Sequence, residues 1–275
     1  MICCNGSFIG GLNEASSDFL QAFSAQNHIT EKFRIEHGRI IFWEAHYFRL
    51  MAAMRILRMD IPMSFTPEQL ETWILEVAEG TSGLFQISVF GAHAVTKEVP
   101  QASTYFCIQA VEGALAFAHH VVAQPFELYK DHYLLSGLLS QIESTNAQLR
   151  NTAWVYMHEN DYADGLFLNE KKHLVESLKG SLFLIQGNTL VTPSLATGAR
   201  ANVYRSKSIE LLKKKQGWTM EEREITPFEL QKMEECFVID PHYGIVSYTH
   251  YRKKTYATEK TETLVKGFMA HYRLG

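Results

Sequence analysis

Cysteine, histidine, lysine, arginine and carboxylate side chains carry most of the chemistry open to a chain, and their spacing here excludes several kinds at once. The four cysteines comprise one adjacent pair, Cys3 and Cys4, and two isolated residues, Cys107 and Cys236. None of the short repeated spacings of a zinc site or a disulfide framework is present, and reduced thiols in a cytoplasm are the expectation. The 12 histidines are scattered. His119 and His120 are adjacent, and neighbours on a strand point to opposite faces, so they read as surface or packing residues rather than metal ligands. No GxGxxG and no GxxxxGK followed by Ser or Thr occurs, so nucleotide binding of those kinds is unsupported. What remains is the chemistry of amines, carboxylates and guanidiniums. An amine can condense with an aldehyde, whereas a carboxylate can only accept a proton. A guanidinium offers fixed, paired donors that suit phosphate oxygens. Arg49, Lys130, Glu143, Glu176 and Lys179 are the candidates of these types.

The elements that must position them follow from pattern. Arg34–Phe42 (RIEHGRIIF) reads as a hairpin turning near His37-Gly38. Phe42–Met59 has Phe42, Ala45, His46, Leu50, Ala53, Met54 and Leu57 at helical spacing, with Arg49 on the same element. Thr66-Pro67-Glu68 supplies an N-cap with proline at the first helical position, opening a helix to about Glu79. Strands are expected at Leu84–Phe90 and Thr104–Ala110. The stretch Val111–Phe117 is short, small and uncharged apart from Glu112. It divides a small N-terminal domain, residues 1–112, from a larger one, residues 118–275, through a linker at 113–117. The second part is expected to hold helices over Ser144–His158, Tyr204–Lys215 and Thr261–Tyr272, and a short one capped by Thr226-Pro227. Strands are expected at Gly165–Leu168, Leu182–Gln186, Thr189–Val191, Cys236–Asp240 and Gly244–Tyr251. Strands and helices mixed in both halves indicate an α/β or α+β fold rather than a doubly wound dinucleotide fold.

Composition agrees with a globular chain: 275 residues, 46% hydrophobic and 20% charged. A formal net charge of −4 gives no electrostatic footprint for nucleic acid or an anionic membrane. No stretch approaches a membrane span, and the opening MICCNGSFIGG lacks the basic segment and apolar run of a secretory signal.

Several segments, in order, resemble the class IV pyridoxal-phosphate-dependent aminotransferases, the group of branched-chain and D-amino-acid aminotransferases and aminodeoxychorismate lyases. CNGSFIGG is similar to the family's opening strand-turn, and EKFRIEHGRI to its strand pair before the first helix. His46-Tyr-Phe-Arg49-Leu50 matches the family's H-x-x-R-L, in which the arginine binds the cofactor phosphate. Leu139-Ser-Gln-Ile-Glu143-Ser-Thr-Asn146 resembles the stretch around the Schiff-base lysine. Asp164–Glu170 leading to Leu174-Val-Glu176 resembles the strand and turn ending in the glutamate that pairs with the pyridine nitrogen. Thr192-Pro-Ser-Leu195 with Gly198 and Arg205 resembles the TP-x-L…G…R segment. Cys236–Asp240 with Gly244-Ile245 resembles the last strand and loop beside the cofactor. Each motif is weak alone; their collinear order over roughly residues 30–250 carries the resemblance.

The resemblance implies a fold-type-IV architecture with a small α/β domain, a larger barrel-like domain and a ligand cleft between them, a homodimer, and pyridoxal phosphate as cofactor. It also places Glu143, a carboxylate, at the lysine position. The 33 residues from Glu143 to Glu176 match the family's gap, whereas the 46 from Lys130 do not. Lys130 and Lys179 remain the alternative amines. Other positions on the implied cofactor contacts differ from the family as well. Ser181 stands for an asparagine, and Asn202-Val203-Tyr204 for Gly-Ile/Val-Thr. Ile239, before Asp240, stands for a threonine, and Gln26-Asn27-His28 for Gly-Asp-Gly. The expectation is therefore a degenerate or repurposed member that contacts an anionic small molecule through Arg49. An active aminotransferase or lyase using another lysine or a non-covalent cofactor, and a ligand-free dimeric protein, are the alternatives. Each surviving residue has a plainer reading: Arg49 pairs with a carboxylate, Glu176 is a structural acid, and Tyr204 packs its helix.

Overall fold

The computed structural model describes residues 1–24, 27–93 and 102–274; the reading of Gln26 falls outside them. The chain divides into two units, Met1–Ala114 and Leu115–Leu274.

The first unit contains β1 (Ile2–Cys4), β2 (Ser7–Ile9), α1 (Ser17–Ser24), β3 (His28–Glu36), β4 (Arg39–Ile40), α2 (Trp43–Ile56), α3 (Pro67–Ala78), β5 (Gly83–His93) and β6 (Ala102–Ala110). The strands form one antiparallel sheet in the order β2-β1-β6-β5-β3-β4. Along β3 the buried Glu31, Phe33 and Ile35 alternate with more polar neighbours, as a sheet covered on one face requires. Phe33 meets Trp43 and His46 of α2 edge-on. Helix α2 buries His46, Leu50, Ala53 and Met54, one stripe at i, i+4, i+7 and i+8. Thr66 caps α3 as the Thr-Pro pair predicts, its hydroxyl accepting from Gln69 N at 3.2 Å. Phe42, at the entry to α2, is buried with φ 57°, a left-handed conformation costing about 1–2 kcal/mol in a non-glycine.

The second unit contains β7 (His119–Val122), β8 (Glu127–Leu134), α4 (Ala147–Glu159), β9 (Gly165–Asn169), β10 (Leu174–Ser177), β11 (Ser181–Gln186), β12 (Thr189–Pro193), α5 (Val203–Lys213), β13 (Thr219–Arg223), β14 (Glu235–Asp240), β15 (Gly244–Tyr248), the short pair β16 (His250–Tyr251) and β17 (Lys254–Thr255), and α6 (Glu259–Leu274). Two sheets, β10-β9-β8 and β13-β12-β11-β14-β15-β7, meet where Ser177 bridges Gly180. They enclose one core, in which Leu128, Leu166 and Leu174 of the first pack with Leu184, Val238 and Tyr248 of the second. That shared interior is the barrel-like domain expected from the sequence. Tyr129, Phe167 and Val175 form a second cluster with Ala153 and Met157 of α4. Helix α4 begins at Ala147 because residues 139–141 and 143–146 form two 3₁₀ turns in front of it. Among the described residues no helix is long and apolar enough to cross a membrane, and no group of His, Cys, Asp and Glu is arranged to hold a metal. All four cysteines are buried free thiols.

Candidate functional site

The 3₁₀ turn before α4 places Glu143, and strand β10 places Glu176. Two arginines that the motif comparison does not single out join them. Arg150 lies on the buried face of α4 with Ala153 and Met157. Its Nε and Nη2 donate to Glu176 Oε1 at 3.1 and 2.6 Å, and its Nη1 donates to the Glu143 carbonyl at 2.7 Å. Arg200 lies in the loop before α5. Its backbone N–H donates to Glu176 Oε2 at 2.9 Å, its Nε stands 3.0 Å from Glu176 Oε1, and its Nη1 stands 3.5 Å from the Glu143 carboxylate. Ala201 N–H donates to the Gln141 carbonyl at 3.1 Å, tying that loop to the turn just before the one carrying Glu143. Two carboxylates and two guanidiniums thus share one site, with formal charges that cancel.

Burial would push the Glu176 carboxyl up, but the charges of Arg150 and Arg200, with their N–H donors, outweigh it and hold the group below the ordinary carboxylate range. The two guanidiniums fare differently. Burial and the nearby Arg200 charge lower Arg150, although Glu176 opposes them. Arg200 is raised, because Glu176, Glu143 and Asp240 together overcome its desolvation.

The N-terminus of α5 is the other local feature that could hold an anion, since its first N–H groups lack intrahelical partners. Here Asn202 Oδ1 accepts from Tyr204 N–H at 2.8 Å and from Arg205 N–H at 3.4 Å. The helix is capped by its own side chain. Val203 and Tyr204 are buried, and the Tyr204 ring packs against Phe117 and Tyr272, which is the packing role.

Ser181 and Ile239 are register partners between β11 and β14, both buried. Asp240 follows, accepting from His242 N–H at 2.7 Å. Gly180 is required beside them: its φ is 155°, and a Cβ there would stand 2.6 Å from the Ile239 carbonyl oxygen. Nearby, the fully buried Asp164 accepts from Ser177 and Tyr248 hydroxyls and from Gly165 N–H. Burial pushes its carboxyl up, although those donors oppose the shift.

Of the candidate amines, Lys179 flanks the Glu143 site through Tyr243, whose phenol is under the charges of Asp240, Arg200 and Glu143, and Lys130 lies apart from it. Lys179 Nζ stands 5.9 Å from the Trp154 ring centroid and 5.6 Å from that of Tyr243, a cation–π arrangement. Lys130 is exposed and lines a cleft containing neither Glu143 nor Glu176. In the first unit, Arg49 is ion-paired to Glu31, which also holds His46 Nδ1 at 2.5 Å. The carboxylate-paired reading of Arg49 therefore describes its contact within that unit.

Arg150 had a sequence signal: a lone charge on an apolar helix stripe needs a buried partner. Arg200, among the small residues of TGARAN, had none.

Residues 28–247 match the amino-transferase class IV family model. The chain belongs to that family. Its solved structural relatives include the branched-chain amino acid aminotransferase of Escherichia coli, with TM-score 0.86 and 16% identity, over 98% of this chain and 94% of that one. The Thermobaculum terrenum branched-chain aminotransferase in its PLP form has TM-score 0.81 and 19% identity, over 100% and 94%. The 4-amino-4-deoxychorismate lyase of Pseudomonas aeruginosa has TM-score 0.77 and 19% identity, over 98% of each. In sequence, the chain is 34% identical over 88 residues to a mitochondrial branched-chain amino acid aminotransferase of Humulus lupulus. That match takes in 31% of this chain and 22% of the relative, so it spans about a fifth of the relative's length.

Removing the Glu176 charge leaves two buried guanidiniums short of a carboxylate, and Glu176→Gln is expected to cost about 3–5 kcal/mol at neutral pH. The depressed carboxyl fixes the sign. Its contribution is fully present above the unfolded value of about 4.3 and is lost as pH falls through the folded value. Urea denaturation over a pH series should show wild type and variant converging only on the acid side; a gap that stays constant into acid would exclude the charged network as its source.

Proposed function

We propose that this protein is a member of the class IV family that has lost imine-based amino transfer and kept the scaffold for another role. The observation that carries the reading is Glu143, ion-paired to Arg200 where the family resemblance places an amine. Pyridoxal phosphate would require three things from this unit: an amine to form the imine, a carboxylate facing the ring nitrogen, and open N–H groups for phosphate. The residues do not fit that group. Position 143 cannot condense with an aldehyde, both Glu176 oxygens already accept N–H groups, and Asn202 takes two N–H groups at the head of α5.

The test is incubation of the purified protein with pyridoxal phosphate, borohydride reduction and peptide mass analysis, run beside an assay for amino transfer or pyruvate release. The expected result is no stoichiometric adduct and no turnover. A stoichiometric adduct on Lys179 or Lys130 accompanied by turnover would overturn the proposal in favour of an active aminotransferase or lyase. Glu143→Lys alone is expected to form an imine weakly, and Glu143→Lys with Asn202→Gly more strongly, because the second change uncovers the helix N–H groups.

We assign Arg49 as the contact for an anionic small molecule. Its guanidinium is oriented by Glu31 yet remains 22% exposed. Calorimetric titration with inorganic phosphate should give a weaker site in Arg49→Gln than in wild type, and equal affinity removes the assignment.

We further propose a cytoplasmic homodimer. Free buried thiols support the compartment. Leu135, Leu138 and Leu139 before α4, and Trp154 and Val155 on it, are exposed apolar side chains, the kind of surface a partner covers. Light scattering should give twice the 31.4 kDa chain mass; a monomer at all concentrations would exclude the ligand-free dimer as well.

A further inference from the structure

A cleft of about 500 Å³ opens in the second unit, in the size range of small-molecule sites. Its floor is apolar, formed by Leu128, Leu168 and Tyr251 from the barrel-like core. Phe228 lines it too, although 82% of that residue is exposed to water. Lys130, Lys171 and Lys172 contribute the charge.

Three observations make this more than a solvated charged surface. First, none of the lining residues is acidic, although the whole chain carries a net charge of −4. Of the acids adjoining the cleft, Glu127 and Glu224 pair with the lining residues Arg252 and His173, and Glu170 accepts from Ser136 N–H, so the three lysines carry the charge of the cleft. Asp131 adjoins Lys130 in sequence but does not line the cleft. Second, Lys130, Lys171 and Lys172 make no ion pair within 4.0 Å among the described residues. Third, the turn presenting two of the lysines is held firmly. Asn169, 1% exposed, accepts from Lys171 N–H at 3.1 Å and His173 N–H at 2.9 Å, and its amide donates to the Thr197 carbonyl at 3.2 Å. Within this turn Lys172 adopts φ 63°. A lysine rather than a glycine in the left-handed region is the kind of local strain that persists where surrounding structure over-determines it.

We infer that this cleft binds a small aromatic anion, a planar ring bearing a phosphate or carboxylate group. The ring stacks under Phe228 on the apolar floor, and the anionic group meets the lysines. Ammonium groups act as point charges on such oxygens, and the low-dielectric floor beneath them strengthens the attraction relative to open water. The inference does not depend on whether the Glu143 site is catalytic.

Isothermal titration with 1-naphthyl phosphate tests it, with inorganic phosphate and 1-naphthol as single-feature controls. The expected result is saturable one-to-one binding that weakens as salt is raised and exceeds the affinity of either control. Lys130→Gln/Lys171→Gln/Lys172→Gln should abolish it. Phe228→Ala should raise Kd about tenfold. All four cleft positions substituted are exposed, so the variants are expected to keep the wild-type unfolding midpoint. The wild-type salt dependence and controls stand even if a variant misfolds. No saturable binding to wild type, binding insensitive to salt, or naphthol or inorganic phosphate binding as tightly as the ester would overturn the inference.

Discussion

The carboxylate of Glu176, buried between two guanidiniums, is the constraint around which the site is organised. A lone carboxylate in that interior would be neutral, because desolvation penalises its charge. Arg150 and Arg200 keep it ionised, and they fix α4 and the loop before α5 to strand β10 in doing so. Glu143 completes the arrangement by offering its carboxylate to Arg200 and its carbonyl to Arg150. The site is therefore rigid and electrically balanced.

On the proposed reading, such a centre differs from one poised for group transfer. Catalytic sites usually keep a nucleophile or base with unsatisfied capacity. The donors and acceptors around Glu176 are turned towards one another, and the head of α5 is closed by Asn202. The same barrel-like scaffold accommodates both because its core is independent of the site: Leu166, Leu184 and Val238 pack from the two sheets whatever residue stands at position 143.

Much of this was legible in the chain, and the reasons are local. The hairpin at His37-Gly38 and the Thr66-Pro67 cap depend on neighbouring residues, so they could be read directly. The family followed from motif order, which sequence preserves. Helix α1 was not foreseen, because Ser17–Ser24 spans only two turns of pattern, although the Ser16 hydroxyl caps it by accepting from Phe19 N–H at 3.3 Å. Helix α4 starts at Ala147, not Ser144, since the Thr145 hydroxyl donates to the Leu139 and Ile142 carbonyls and holds the preceding turns. The role of Arg200 was illegible because its partners lie 24 and 57 residues away along the chain, and no periodicity reaches that far.

The closed exchange of charge among Glu143, Arg150, Glu176 and Arg200 has an evolutionary corollary. Neutralising Arg150, Glu176 or Arg200 strands an opposite charge in the interior, whereas Glu143 is 34% exposed and its loss leaves Arg200 paired to Glu176. An ammonium at position 143 would face the guanidinium of Arg200, a like charge that disfavours an amine there.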